Sequence, residues 1–329
     1  MTSRQLMAVL ISGTALALAA ACLLGSTPME LSRVAAALLG QASPGDTIIV
    51  WEIRLPRALA AFVVGAALGV SGAALQGLLR NPLAEPGVLG VTATASLAAT
   101  FTLYYGFAAS SPYILPISSI IGALAATTLL ALAAIRIQSV VTLILLGVGL
   151  SSFSAAAMSL LLNLAPNPFS LSDMINWLLG SVANRSFDDL KITVPFIAAG
   201  LAILFASRRG LSALTLGEEA ASGVGLDLRR QRIAVVLGAG LATGAAVALA
   251  GAIGFVGIVA PHIVRPVVNH DPARSLAPSA LLGGLILVIA DIGVRLLPTN
   301  TELKLGVVAA LIGAPAFVWI AIQRRAVHE

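Results

Sequence analysis

The stretch 54–90, RLPRALAAFVVGAALGVSGAALQGLLRNPLAEPGVLG, decides the fold. Arg54 and Arg57 bracket Pro56, which can open a helix because its missing N–H lies where the first turn has no acceptor to offer. No charge interrupts the run from Arg57 to Arg80, which is long enough to cross a hydrocarbon layer of about 30 Å as a helix. Gly65, Gly69 and Gly72, with Ser71, form a ridge of small residues that lets neighbouring helices approach closely. The run ends in Arg80-Asn81-Pro82, with Pro86 beyond, so the chain must turn there and re-enter.

The rest of the chain has the same character. Of 329 residues, 58% are hydrophobic and 10% charged, and the mean hydropathy is +1.00. A soluble domain carries about 25% charged residues, so this chain lacks the polar surface to coat a water-soluble globule. Apolar runs broken by Arg, Pro, Asn and Asp clusters predict ten spans, at 5–25, 56–79, 87–107, 113–135, 139–163, 191–207, 233–251, 253–268, 275–294 and 303–322. The expected fold is therefore all-α, a polytopic bundle of ten transmembrane helices forming one domain over 1–329. An even number of spans puts both termini on one side, and the positive-inside rule makes that side cytoplasmic: it collects 12 of the 19 basic residues and 6 of the 14 acids. A segment ending in Leu18-Ala19-Ala20-Ala21-Cys22 also imitates a signal peptide with a lipid-attachment cysteine, and cleavage there would leave nine spans. The reading adopted is an uncleaved first helix, with Cys22 a small apolar residue in it.

Several activities are disfavoured. One cysteine and three histidines leave little for a disulfide framework or a metal cluster, so no metal site is expected. A phosphate-binding loop needs Gly-Lys-Ser/Thr, but Lys191 and Lys304, the two lysines, each follow a leucine. The chain is expected to bind no cofactor and to hydrolyse no ATP of its own. Ion-coupled carriers place an ionisable residue near mid-span, whereas every acid here falls in a loop or near a helix end, Glu85 among the inner-loop acids. Asp291 and Arg295 come nearest, four residues apart and placed to form a local ion pair. An ion-coupled secondary transporter remains the alternative from another class. No nucleophile–base pair or HExxH spacing suggests an enzyme.

With 54–90 stand WLLGS at 177–181, GAIGFVGIVAPHIVRP at 251–266, ADIGVR at 290–295 and GVVAALIGAP at 306–315. Together they resemble the FecCD/BtuC-like permease family of type II ABC importers, which carry cobalamin, ferric siderophores and haem, and the likeness runs through nearly the whole chain. The resemblance implies a homodimer of ten-helix subunits around a central pathway in the bacterial inner membrane. It implies two cytoplasmic ATPase subunits, which hold the ATP and Mg, and a periplasmic substrate-binding protein, with no role for nucleic acid. It also implies an inverted repeat of helices 2–5 and 7–10.

The resemblance assigns roles to residues. Arg54, Arg57 and Arg295 would receive acidic side chains of the binding protein, as exposed guanidiniums suited to bidentate pairing. Loop 208–232 would couple to the ATPase through Gly217, Glu218, Glu219, Ala220, Gly223, Gly225 and Asp227. Thr215 and Glu218 have capping-box spacing, so a short helix is expected to start there and stop near Gly223 or Gly225, with Asp227 capping the next segment. Asn81 and Leu83, with Ser139 from the turn before helix five, would narrow the cytoplasmic exit; the lesser alternative is that Asn81 caps the broken helix. Gly147, Ser151 and Ser154 on helix five suit either a pathway wall or ordinary helix packing, and Arg185 is expected near the entrance, within reach of substrate carboxylates. The overall pattern is most like haem permeases, and Arg185, Lys191 and Lys304 could meet propionates; haem is therefore the expected cargo, with a ferric siderophore or cobalamin as alternatives. Thr94-Ala95 and Glu302-Leu303-Lys304 depart from the family pattern.

Overall fold

A computed structural model describes residues 2–25, 27–136, 140–297 and 302–325. The described residues form helices and connecting turns, without strands. Ten helices match the ten expected spans: α1 Ser3–Leu23, α2 Leu55–Leu78, α3 Val91–Tyr104, α4 Ile114–Arg136, α5 Val140–Asn163, α6 Phe187–Ala206, α7 Leu228–Ala250, α8 Val256–Val264, α9 Pro272–Leu296 and α10 Leu305–Arg325. Seven belong to helical stretches long and apolar enough to cross a membrane, and α3, α8 with its continuation to Val268, and α10 supply shorter apolar helices. An even number of crossings places Thr2 and Arg325 at one end of the bundle.

Burial repeats along the chain. The most apolar windows of α2 and α7 are 83% and 78% buried, those of α4 and α9 are 50% and 44%, and that of α5 is 17%. After both α2 and α7 the backbone leaves the helix and then starts a short one, α3 or α8. Five crossings separate the two halves, so the second runs opposite to the first. That is the arrangement of an inverted repeat.

The glycine ridge works as expected. A Cβ on Gly65 would lie 2.2 Å from the Gly283 carbonyl oxygen, one on Gly69 2.1 Å from that of Ser279, and one on Gly72 1.8 Å from that of Gly257. Only hydrogen fits there, and α2 consequently meets α9 and α8 backbone to backbone. Gln76 adds a buried hydrogen bond to the Gly257 carbonyl at 3.2 Å.

Two irregular segments interrupt the regular helices. In the first, Arg80 adopts φ 49°, a 3₁₀ turn spans Pro86–Leu89, and Gly90 stands at φ 74° before α3. In the second, 251–254 is non-helical and Phe255 begins α8 at φ 66°, an unusual conformation for a bulky residue. Non-helical backbone at membrane depth requires cover by protein or a water-filled cavity. Here each segment covers the other: a cavity of about 170 Å³ lies between them, lined by Glu85, Pro86, Phe255 and Gly257 among others.

Glu85, read from the sequence as an inner-loop acid, is one of the walls. Its Oε2 accepts from the Phe255 N–H at 3.3 Å, across 170 residues of sequence. The prolines around it keep the chain from resuming a helix after α2 and fold it back between α5 and α8, so the loop predicted there is an internal segment.

At the end opposite the termini a collar of short helices precedes α2. Leu31–Leu38 and Pro44–Thr47 are joined by Arg33 and Asp46 (Nε–Oδ2 3.1 Å), and Trp51 Nε1 donates to the Ala37 carbonyl at 3.0 Å. A π-helical segment, Ile48–Arg54, then runs directly into α2.

Candidate functional site

The C-terminal turn of α1 leaves carbonyls without partners in its own helix, and these attract cations. Arg54 Nη1 donates to the Cys22 and Leu23 carbonyls, each at 2.8 Å, and its Nη2 reaches the Thr27 carbonyl. Arg295 Nη1 donates to the Ala21 carbonyl at 3.0 Å. Arg57, one turn into α2, donates to Asp291 of α9 from Nε at 2.9 Å and from Nη2 at 2.7 Å, and also meets Glu302. Arg295 Nε lies 3.1 Å from the second Asp291 oxygen.

All three predicted docking arginines therefore come together, but the expectation that they are exposed is corrected. Arg54 and Arg57 are 5% and 8% exposed, and the Arg295 side chain is 8% exposed. The reason is tertiary: the end of α1 and the end of α9 fold over them. What remains open is a cavity of about 250 Å³, lined by Gly25, Arg54, Arg57, Arg295 and Glu302 with three apolar neighbours. Three guanidiniums face two carboxylates there, and Arg295 Nη2 is buried with no hydrogen-bond partner among the described residues. The cluster lacks one negative group.

On the same side lies a short helix, Pro168–Leu178, capped by Asn167, whose side chain accepts from the Ser170 N–H. Beside it is a polar cavity of about 330 Å³, lined by Asp173, Trp177, Arg185 and Lys304 among others. Trp177 Nε1 and Arg185 Nε are both buried without partners among the described residues. Lys191, by contrast, is neutralised by Asp188 at 2.8 Å and is not among the cavity's lining residues.

At the end with the termini, the helices Arg208–Ala213 and Glu218–Gly223 fill the loop between α6 and α7. The second stops as expected: Gly225 takes φ 90°, and Asp227 caps α7 by accepting from the Arg230 N–H at 3.0 Å. The predicted capping box does not form. Gly217 occupies the N-cap at φ 101°, Thr215 Oγ1 donates to the Ser212 carbonyl, and Glu218 receives Arg232 Nη2 on both oxygens at 2.9 and 2.8 Å. Glu219, Ala220 and Gly223 are exposed. Leu216 and Val224, 67% and 71% exposed, flank this helix with apolar surface. The sequence reading passed over both, although an apolar residue at each end of a polar loop helix is a readable signal.

Asn81 Oδ1 accepts from the Leu83 N–H at 2.9 Å, so Asn81 builds the turn that ends α2, as its capping alternative implied. Leu83 is half-buried, and Ser139 lies outside the described residues. On α5, the possibility that Gly147, Ser151 and Ser154 form an open wall is corrected in favour of packing. A Cβ on Gly147 would come within 2.5 Å of the Val88 carbonyl oxygen, Ser151 bonds the Gly87 carbonyl at 3.4 Å, and Ser154 meets Thr94 at 3.2 Å. Gly149, Ser152 and Ser159 are exposed on α5, with Ala155 and Ala156 between them.

A ten-helix bundle with two broken spans, an arginine cluster at one end and a short exposed helix at the other defines a membrane permease. The chain belongs to the FecCD transport family, whose model matches residues 6–323. It is 40% identical over 277 residues to the vitamin B12 import system permease protein BtuC of Vibrio cholerae, covering 84% of this chain and 83% of that one. It is 39% identical over 291 residues to the ABC transporter permease protein YvrB of Bacillus subtilis, with 87% and 82% covered. BtuC of Yersinia pestis is 36% identical over 286 residues, with 87% and 85% covered. A solved structure described as an inward-facing conformation of a metal-chelate type ABC transporter is also similar, with a TM-score of 0.87 and 28% identity, covering 97% of this chain and 99% of that one.

Proposed function

We propose that this chain is the membrane permease of an ATP-binding-cassette importer, with both termini cytoplasmic, working as a homodimer with two ATPase subunits and a periplasmic binding protein. The observation that carries the reading is the arginine cluster. Three guanidiniums against two carboxylates, opening on a cavity of about 250 Å³, form a socket for one acidic side chain of a docking protein. Such complementarity sets register and association rate more than affinity. At the opposite end, Leu216 and Val224 beside the Glu218–Arg232 pair offer an apolar grip with a fixed tilt, which suits an ATPase groove. The serines on the open face of α5 are poorly suited to lipid tails and better suited to a pathway shared with a second copy.

The cargo is a metal chelate. The BtuC relatives favour a corrinoid such as cobalamin over haem, which reverses the order of the sequence-based expectation. The unpaired Trp177 and Arg185 donors at the mouth keep haem, with its carboxylates, as the second reading. The deciding experiment is co-purification with an ATPase subunit, followed by ATP-driven uptake in proteoliposomes. Cobalamin, haem and a ferric siderophore are each supplied with a cognate binding protein. Uptake by this chain alone, without an ATPase, would refute the proposal and favour an ion-coupled carrier.

A further inference from the structure

At the end of the bundle with the termini, a cavity of about 560 Å³ opens between the start of α1, the end of α6 and the start of α9. Its lining includes Arg208, Arg209 and Ser212 from the first helix of loop 208–232, but none of the individual residues assigned above to docking, coupling or the pathway. Its rim carries Arg208, Arg209 and Arg274, all exposed. The one acid lining it, Asp271, is already engaged: Oδ1 accepts from Ser212 Oγ at 2.7 Å and from the Ala273 N–H at 2.9 Å, and Oδ2 lies 3.4 Å from Arg274 Nε. Arg208 and Arg209 have no ion pair among the described residues. Behind this rim the wall turns apolar, with Met7, Phe205 and Pro278.

The cavity is therefore amphipathic: a cationic rim with two uncompensated charges at the bundle's end, and an apolar wall leading toward the bilayer core. Its neighbour α1 is only one-third buried over its most apolar window and exposes Val9, Ile11 and Leu16 at 59%, 53% and 71%. A free anion would use only the rim, and a soluble protein would have no use for the lipid-facing wall. Basic pockets between helices at the cytoplasmic boundary fit anionic headgroups.

We propose that this cavity binds an anionic phospholipid of the cytoplasmic leaflet, its phosphate held by Arg208, Arg209 and Arg274 and its acyl chains lying along Met7, Phe205 and α1. The lipid ties α1 to the base of α9 and to the first helix of the coupling loop.

The test uses the full chain in detergent and in nanodiscs. Thermal unfolding is followed with phosphatidylglycerol, phosphatidylcholine or inorganic phosphate added, and bound lipid is counted by native mass spectrometry. Phosphatidylglycerol should be retained and should raise the melting temperature, whereas the other two should not. Arg208→Gln/Arg209→Gln/Arg274→Gln should weaken that binding by roughly a hundredfold, from about a fivefold loss per basic residue, and the corresponding triple lysine variant should keep most of it. Photoactivatable phosphatidylglycerol on the unmodified protein, which requires no variant to fold, should label peptides 1–10, 203–213 and 271–279. Equal stabilisation by inorganic phosphate, unchanged lipid retention in the glutamine variant, or labelling confined to other peptides would each overturn the proposal.

Discussion

Arg57 and Asp291, 234 residues apart in sequence, share three hydrogen bonds, at 2.7, 2.9 and 3.2 Å, and Asp291 is 1% exposed. The same carboxylate faces Arg295, so one acid holds two arginines, of which Arg295 also donates to the Ala21 carbonyl at the end of α1. Asp291→Ala should destabilise the subunit by about 3–5 kcal/mol, because removing one partner leaves buried charge uncompensated. Arg33→Ala, at a pair whose arginine side chain is 54% exposed, should cost far less, because solvent screens an exposed ion pair. Thermal unfolding in a single detergent compares them; equal losses would contradict the assignment of Asp291 as the keystone.

The cluster's charge imbalance makes a prediction of opposite signs. Arg54→Glu/Arg295→Glu should slow association with the binding protein, and Glu302→Gln, which removes a competing carboxylate, should speed it by roughly two- to tenfold at low ionic strength. Both effects should shrink with added salt. A purely structural cluster would not show acceleration in Glu302→Gln, so stopped-flow or biolayer measurements separate the two roles.

Backbone contact along α2 leaves no room for a methyl group. Gly69→Ala, which would place Cβ 2.1 Å from the Ser279 carbonyl oxygen, should cost about 1–3 kcal/mol or block folding. Gly293→Ala on α9 meets nothing within 4 Å and should be neutral or stabilising by up to about 1 kcal/mol. Yields and melting temperatures of the two variants check the contrast.

Glu218 and Arg232 connect the coupling helix to α7. Arg232→Glu should lower ATP-driven uptake, and the swap Glu218→Arg/Arg232→Glu should recover part of it, with an interaction energy of about 0.5–3 kcal/mol. Absence of any rescue in proteoliposome uptake would show that the pair does not set the helix's tilt.

At the mouth, Arg185→Ala should reduce uptake of haem more than uptake of cobalamin, because the side chain's unpaired Nε–H is suited to a carboxylate. Equal losses for both cargoes would assign Arg185 to the local structure instead.

Much of this architecture was legible locally. The end of α2, at 78 against an expected 79, follows from the Arg80-Asn81-Pro82 breaker, whereas Pro56 does not open the helix, because the π-helical Ile48–Arg54 runs directly into it. The Asp227 cap and the stop at Gly225 follow from turn chemistry. The Thr215 capping box failed because Gly217, free to take φ 101°, starts the helix instead and Arg232 captures Glu218. Spacing alone does not reveal a competing partner 14 residues away.

Other features had no local signature. The small residues of α5 look alike in sequence, yet Ser154 is buried against Thr94 and Ser152 is exposed. Nearly every face of such a helix is apolar, so hydrophobic periodicity cannot say which side meets protein.

The sequence by itself determined the ten helices and the grouping of positive charge, because span length and helix breaking depend on bilayer thickness and on a few neighbouring residues. Only the tertiary structure decided that Arg54, Arg57 and Arg295 form one buried cluster and that Glu85 lies in an internal cavity opposite Phe255. It also decided which face of α5 stays open. These outcomes depend on contacts between residues as much as 274 positions apart, and no local periodicity encodes them.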